Sequence, residues 1–351
     1  MKKLTALLLT AALLVCLFAG CAAKQPTPAP AATDAKTEAA PAESTPTEEA
    51  TPAEEKAPAD MHVVLLVKQM GNDFWVEMVD SAKAEAEAKG IQLEVLCPLT
   101  ADSNEEQIQL VEQALLDAPD CFIICPADSE GLTPAIEKLN EAGIPIIVLD
   151  SPITNASVET LSFIGSNNYD LGYDLAYAAA AKTGIESGKV AIIEGKTGAS
   201  SSIARTAGAE AAYAELGWEV VDKQPGNWSR DDSYNAVQNL LQAHSDIDVI
   251  QFNSVSMALG AYDAVVKSGQ DVKIVAVDKN AEALQLMVDT DAKIMIALID
   301  NPPDYMGKTS VDIAIAYLSG EAVEAEYTTS GDIIAPDEAV WPALLEKYGV
   351  S

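Results

Sequence analysis

A chain of 351 residues, 49% hydrophobic and carrying a formal charge of −33, has ample apolar material for a folded core and a strongly acidic exterior. That acidity excludes partners such as DNA, whose binding is built on Lys and Arg neutralising phosphates, and otherwise speaks to solubility. Two histidines and five cysteines leave little for histidine-based catalysis or a metal framework.

The chain opens Met1-Lys2-Lys3, runs apolar from Leu4 to Phe18, and reaches Ala19-Gly20-Cys21. A basic head, an apolar run shorter than the roughly 20 residues of a membrane span and small residues at its end predict a signal peptide over 1–20. The ending Phe18 to Cys21 resembles the lipobox of bacterial lipoproteins, with Phe18 where leucine is usual. That resemblance implies lipid on Cys21 and a membrane anchor outside the cytoplasm. Residues 21–60 hold seven of the eighteen prolines and much Ala, Thr and Glu. Such a segment buries too little surface to offset its ordering entropy and reads as a disordered tether.

From Met61 onward, short apolar runs alternate with helical patterns. Strands are expected at 63–67, 93–96, 121–125, 145–149, 190–193, 248–252 and 274–277. Helices are expected at 73–89, 103–117, 130–142, 168–183, 202–215, 231–243, 255–268 and 302–319. Several runs are apolar without alternation, as in parallel strands covered by helices on both faces. Asp73, Ser103, Asn168 and Asp231 stand where N-caps belong, and Gly90, Gly143, Gly184, Gly217 and Gly269 near helix ends. Strand then helix, repeated, is a doubly wound α/β plan, and the roughly 290 residues of the body suit two lobes better than one sheet.

Cys121 and Cys125 lie four apart in one expected strand, about 13 Å at strand rise, whereas a disulfide needs Cα atoms within about 7 Å. With Cys97 they read as buried thiols, with no metal site and no cofactor. In open parallel sheets ligands bind beyond the carboxyl ends of the strands. The residues just after the apolar runs include Gly71 to Trp75, Cys125 to Asp128, Asp150-Ser151, "GKTGASSSIARTAG" (195–208), "PGNWSRDD" (225–232), "NSVSMALG" (253–260), Asp278-Lys279 and "DNPPDYMG" (300–307). Carboxylates, carboxamides and an arginine supply directed hydrogen bonds to hydroxyls, and Phe and Trp supply flat faces for a sugar ring.

These segments make the chain similar to the ribose- and galactose-type solute-binding proteins of bacterial sugar ABC transporters, the type I periplasmic binding proteins. The resemblance rests on Asn72–Trp75, "VLDS" ending at Asp150-Ser151, Arg205-x-x-Gly208, "QNLLQAH" (238–244), "MALGAYDAV" (257–265) and the "AVD" ending at Asp278. It implies two parallel-sheet α/β lobes, 61–165 plus 301–329 and 166–300 plus 330–351. Three crossings would join them near Ser162–Asn167, Ile299–Pro302 and Thr328–Ile333. It further implies a monomer that takes a monosaccharide or related small polyol between the lobes and delivers it to an ABC permease. Carried over by position, Asn72, Asp150, Asn253, Asp278 and Asn301 would meet sugar hydroxyls. Arg205 would donate, and Phe74 or Trp75 and Trp228 would stack. Cys125 and Ser151 stand where the family often has asparagine and arginine, and Asn253 is displaced by one, which puts ribose itself in doubt.

Other readings are weaker. A phosphate loop would need glycine at Val190. Neither His62, at the start of a strand, nor His244, at the end of a helix, can serve as a base in the cleft. Asp150 and Asp278 could imitate a glycosidase pair, but the plan of the fold speaks against an enzyme. A sensory binding protein of the same fold is the alternative. A LacI-like repressor fits neither the signal peptide, nor the acidity, nor the absence of an N-terminal helix-turn-helix.

Overall fold

The computed structural model describes residues 56–351. The expected signal peptide over 1–20, the lipidation site Cys21 and the tether up to residue 55 lie outside the described residues. The last five residues of the 21–60 segment are exposed, with Pro58–Asp60 in one 3-10 turn and Lys56 paired with Asp120.

The first half of the body alternates β1 (His62–Leu66), α1 (Asp73–Lys89), β2 (Gln92–Leu96), α2 (Asn104–Ala114), β3 (Cys121–Ile124), α3 (Thr133–Glu141), β4 (Ile146–Leu149) and β5 (Ser162–Ser166). A second series follows with α4 (Asn168–Thr183), β6 (Lys189–Glu194), α5 (Ser200–Glu215), β7 (Glu219–Pro225), α6 (Arg230–Ala243), β8 (Val249–Phe252) and α7 (Val255–Ser268). It continues with β9 (Lys273–Val277), α8 (Ala281–Asp289) and β10 (Met295–Ile299). The chain then returns through α9 (Pro303–Leu318) and β11 (Glu326–Thr329), and ends with β12 (Ile333–Ile334) and α10 (Trp341–Tyr348).

Two six-stranded sheets result, ordered β11-β5-β4-β3-β1-β2 and β12-β10-β9-β8-β6-β7. Every pairing is parallel except that of β12 with β10. The two orders are the same pattern, so β4 corresponds to β9 and β1 to β6. The absence of alternation has its expected cause. Val63 and Leu65 enter one core layer while Val64 and Leu66 enter the other, and Ala191 and Ile193 divide from Val190 and Ile192 in the same way.

The helix caps correct the sequence reading at three of four places. Ser103 does cap α2, but Asn72 caps α1 instead of Asp73, Asn167 caps α4 instead of Asn168, and Ser229 caps α6 instead of Asp231. A cap needs an extended backbone and an oxygen that reaches the N–H groups of the first turn. Those three residues meet both conditions, which frees Asp73 and Asn168 for other bonds. Cys121 and Cys125 are buried free thiols, as expected, whereas Cys97 on the loop after β2 is half-buried. Burial pushes the Cys121 thiol up to about 12.

Candidate functional site

The carboxyl ends of both sheets face one cleft, lined by Asn72, Phe74, Trp75, Asp150, Arg205, Trp228, Asp278 and Asn301, together with Lys68, Asp102, Lys196 and Lys279. Its centre is two carboxylates at equivalent positions. Asp150 follows β4 and Asp278 follows β9, both with left-handed backbone, φ 64° and 74°. Each is pinned to the neighbouring strand: Asp150 N donates to Ile164 O at 2.8 Å, and Asp278 N to Ile299 O at 3.0 Å. A non-glycine residue with φ above zero is uncommon, and such conformations persist where the surroundings over-determine them.

Each carboxylate is held on one oxygen. Asp150 Oδ2 accepts from Lys68 Nζ at 3.1 Å and Ser151 Oγ at 2.8 Å, with the Cys125 thiol at 3.8 Å. Asp278 Oδ1 accepts from Asn301 Nδ2 at 2.9 Å and lies 4.0 Å from Arg205 Nη1. Among the described residues the second oxygen of each takes no hydrogen bond, so each lobe offers one fixed acceptor to the cleft. The electrostatics differ. Burial alone would raise the Asp150 pKa, but the Lys68 ammonium and the Ser151 hydroxyl hold it below the usual carboxylate range. Burial also raises Asp278, and here Arg205 and Asn301 offset it only in part. For Lys68, burial acts to lower the pKa, and Asp150 with its neighbours overcomes it and raises it.

Arg205, 4% exposed, is fixed by its surroundings. Its Nε donates to Asn168 Oδ1 at 2.8 Å and its Nη1 to Asn253 O at 2.6 Å, leaving Nη2 unpartnered among the described residues. This fixing requires α4 and α5 to touch through backbone. A Cβ on Gly172 would stand 1.9 Å from Arg205 O, and one on Gly208 would stand 2.0 Å from Tyr169 O.

The aromatics divide their roles. Trp75 is buried in the first lobe's core beneath the Lys68 ammonium, 5.0 Å from its ring, and Phe74 meets it edge-on at 4.9 Å and 82°. Both border the cleft, Trp75 from the core side and Phe74 from its half-buried position. Trp228 comes from the other lobe on a left-handed turn, Asn227 φ 54° and Trp228 φ 60°. It lies so close over Gly195 that a Cβ there would stand 2.1 Å from the ring. Asn72 borders the cleft, but its Oδ1 already accepts from Trp75 N at 3.4 Å, so only its amide N–H is free.

Asn253 is the exception. It is fully buried and absent from the cleft lining; its Nδ2 donates to Thr206 Oγ1 at 3.0 Å and Ser202 O at 3.2 Å. Its place is behind Arg205, as scaffold. Conversely, Lys68 and Asn168 do not figure among the site residues expected from sequence, where Asn168 is read only as a helix cap. A lysine closing an otherwise apolar strand at its carboxyl end was the available signal for Lys68; Asn168 carried none. Gln107 is a third: fully buried, it joins Val67 O, Cys125 O and Ala127 N, tying together the loops after β1 and β3 where strand order reverses.

Residues 63–322 match the sequence profile of the periplasmic binding protein domain family. The ribose import binding protein of Bacillus subtilis is 31% identical over 260 residues, which is 74% of this chain and 82% of the relative. The D-ribose/D-allose-binding protein of Pseudomonas aeruginosa is 29% identical over 291 residues, 81% of this chain and 89% of the relative. Among solved structures, an ABC transporter periplasmic solute-binding protein from Actinobacillus succinogenes with bound D-allose superimposes with a TM-score of 0.74. It is 28% identical, over 79% of this chain and 98% of that one.

Proposed function

Since the chain belongs to the periplasmic binding protein domain family, we propose that it captures a monosaccharide or related small polyol between its lobes and delivers it to the permease of a sugar ABC importer. The observation that carries this reading is the pair of matched carboxylates, one per lobe, both lining the cleft, each with one oxygen held by protein donors and the other without a hydrogen bond among the described residues. A ligand bridging them must donate in two directions, which a ring bearing several hydroxyls does. Arg205 Nη2, the Asn72 amide and the Lys68 ammonium donate in return, and Phe74 and Trp228 cover the C–H faces of the ring. Hydrogen bonds to charged groups contribute about 1.5–3 kcal/mol each.

The relatives that bind ribose and allose support this class of ligand. Ser151 and Cys125 give the first lobe fewer fixed donors than the asparagine and arginine frequent in the family, with Lys68 as the cation in their neighbourhood, so hexoses and furanoses belong in the test beside ribose. The protein acts outside the cytoplasm, and the sequence ending in Cys21 supports a lipid anchor that holds a monomeric body to the membrane; replacing Cys21 with Ala should release it from the membrane fraction. A thermal-shift screen against pentoses, hexoses, polyols and nucleosides tests the main reading, because ligands that bind only the folded state raise Tm by mass action. A rise with at least one sugar or polyol is expected. A flat response across the panel would overturn the reading.

A further inference from the structure

The lobes also meet away from the residues that line the cleft. α10 belongs to the second lobe: Trp341 is buried in that core, and Leu344, Leu345 and Tyr348 pack against it. α1 and α9 belong to the first, through Trp75, Met78 and Met306. Yet the last turn of α10 bonds across the divide. Lys347 Nζ lies 2.9 Å from Glu77 Oε1 on α1 and 2.7 Å from Asp304 Oδ2 on α9. Tyr348 OH lies 2.9 Å from both Glu77 oxygens. One turn before Glu77, and within the cleft lining, Asp73 Oδ2 accepts at 2.8 Å from Nδ2 of Asn280, the cap of α8. The acidic first turns of α1 and α9 thus face donors from α8 and α10.

The charges are adapted to this contact. Burial would raise Asp304, but Lys347 holds it below the usual carboxylate range. Burial would lower Lys347, and Asp304 and Glu77 raise it. Glu77, Asp304, Lys347 and Tyr348 are absent from the cleft lining, so a ligand in the cleft does not use them. Their contacts differ in kind from bonds within one lobe. Rotation about the crossings separates α10 from α1 and α9, so the free energy of these contacts belongs to the closed arrangement alone.

We propose that the last turn of α10 is an interlobe latch: Lys347 and Tyr348 grip Glu77 and Asp304, favour closure before any ligand arrives, and so set the fraction of molecules already closed. The side chains of Lys347, Glu77 and Asp304 are 43%, 22% and 40% exposed, which makes the latch weak and salt-sensitive rather than a lock. Its loss should lower the closed-to-open ratio by about three- to tenfold.

The test is pulsed electron paramagnetic resonance on full-length protein without ligand, carrying Cys16→Ser, Cys21→Ser and Cys97→Ser so that only the buried Cys121 and Cys125 remain. Spin labels go on Leu99→Cys and Ile203→Cys, exposed positions on different lobes. Lys347→Met and, from the other lobe, Glu77→Gln should each move the distance distribution toward the longer separation. The two together should move it by less than the sum of the separate shifts, because both remove the Lys347–Glu77 pair while Asp304 and Tyr348 each keep a contact of their own, and salt at about 1 M should shift the parent but not the double variant. Glu77→Gln and Tyr348→Phe keep the packing of their sites, so loss of the fold in one variant does not remove the test. Distributions unchanged by every substitution, or additive shifts, overturn the latch. A second arm titrates D-ribose and D-allose. The substitutions should weaken both by the same factor as the closed fraction falls, leaving the preference between them unchanged; unequal weakening overturns the latch as a purely conformational device. Failure of the parent to bind any sugar would count against the proposed function, while the ligand-free distances still decide the latch.

Discussion

Asp150 and Asp278 hold equivalent places yet titrate in opposite directions, and the sign of each has a consequence. The pKa of Asp150 is depressed in the fold. Its ionised form therefore stabilises the protein above the unfolded-state pKa, and that contribution is lost as pH falls through the folded-state value. The pKa of Asp278 is raised, so its ionised form opposes folding at neutral pH and the opposition is relieved as pH falls through the raised value. On acidification Asp278 takes its proton first. Affinity for the cognate sugar should then fall in a step above the usual carboxylate range, while Asp150 is still ionised. Calorimetry across pH checks this: Asp278→Asn should remove the step, and a wild-type profile flat down to the ordinary carboxylate range would contradict it. Asp150→Ala has a second effect, since it leaves the Lys68 side chain, 14% exposed, without its partner. Breaking such a pair costs about 3 kcal/mol, visible as a lower midpoint in denaturant. Sequence position sufficed to find these carboxylates because both stand at strand ends. It could not tell that Asn253, also at a strand end, turns its side chain back toward Ser202 and Thr206.

At the scale of elements, β1, β3, β4, β6, β8 and β9, buried on both faces, and the edge strand β2 were legible from their apolar runs, whereas β5, Ser162–Ser166, is buried but broken by two serines and a glycine and gives no such run. β7 is a half-exposed edge strand of mixed polarity, Glu219–Pro225, with no period to read. β11 and β12 form only because returning segments meet the edges of β5 and β10. β10 is different: Met295–Ile299 carries the same apolar signal as the strands that were read, as does the pattern of α8 before it. The crossing of α4 with α5 was not legible either, since Gly172 and Gly208 in a helical stretch look only like weak helix formers. Their role is close approach, which holds Asn168 against Arg205. Gly208→Ala should therefore cost about 1–3 kcal/mol by overpacking and weaken sugar binding through a displaced guanidinium. Chemical denaturation and titration of the same variant measure both; full stability with full affinity would refute the crossing as the support of Arg205.

The whole molecule is one strand order used twice, and the repetition explains why its chemistry comes in matched halves. Each sheet brings one carboxylate on a left-handed turn, one cation beside it and one aromatic face to the same cleft. Neither half can surround a ligand alone, so under the proposed function a bound sugar favours the closed arrangement, and the proposed α10 latch biases the same equilibrium from outside the cleft. Under the proposed function one sugar is shared between the two lobes. Isothermal titration of D-ribose and D-allose into the wild type, Asp150→Ala and Asp278→Ala tests it most directly. The wild type should bind at least one of these sugars at a single site, and each substitution, one in either lobe, should weaken binding by about tenfold or more. A sugar bound equally well by the wild type and both variants would contradict it.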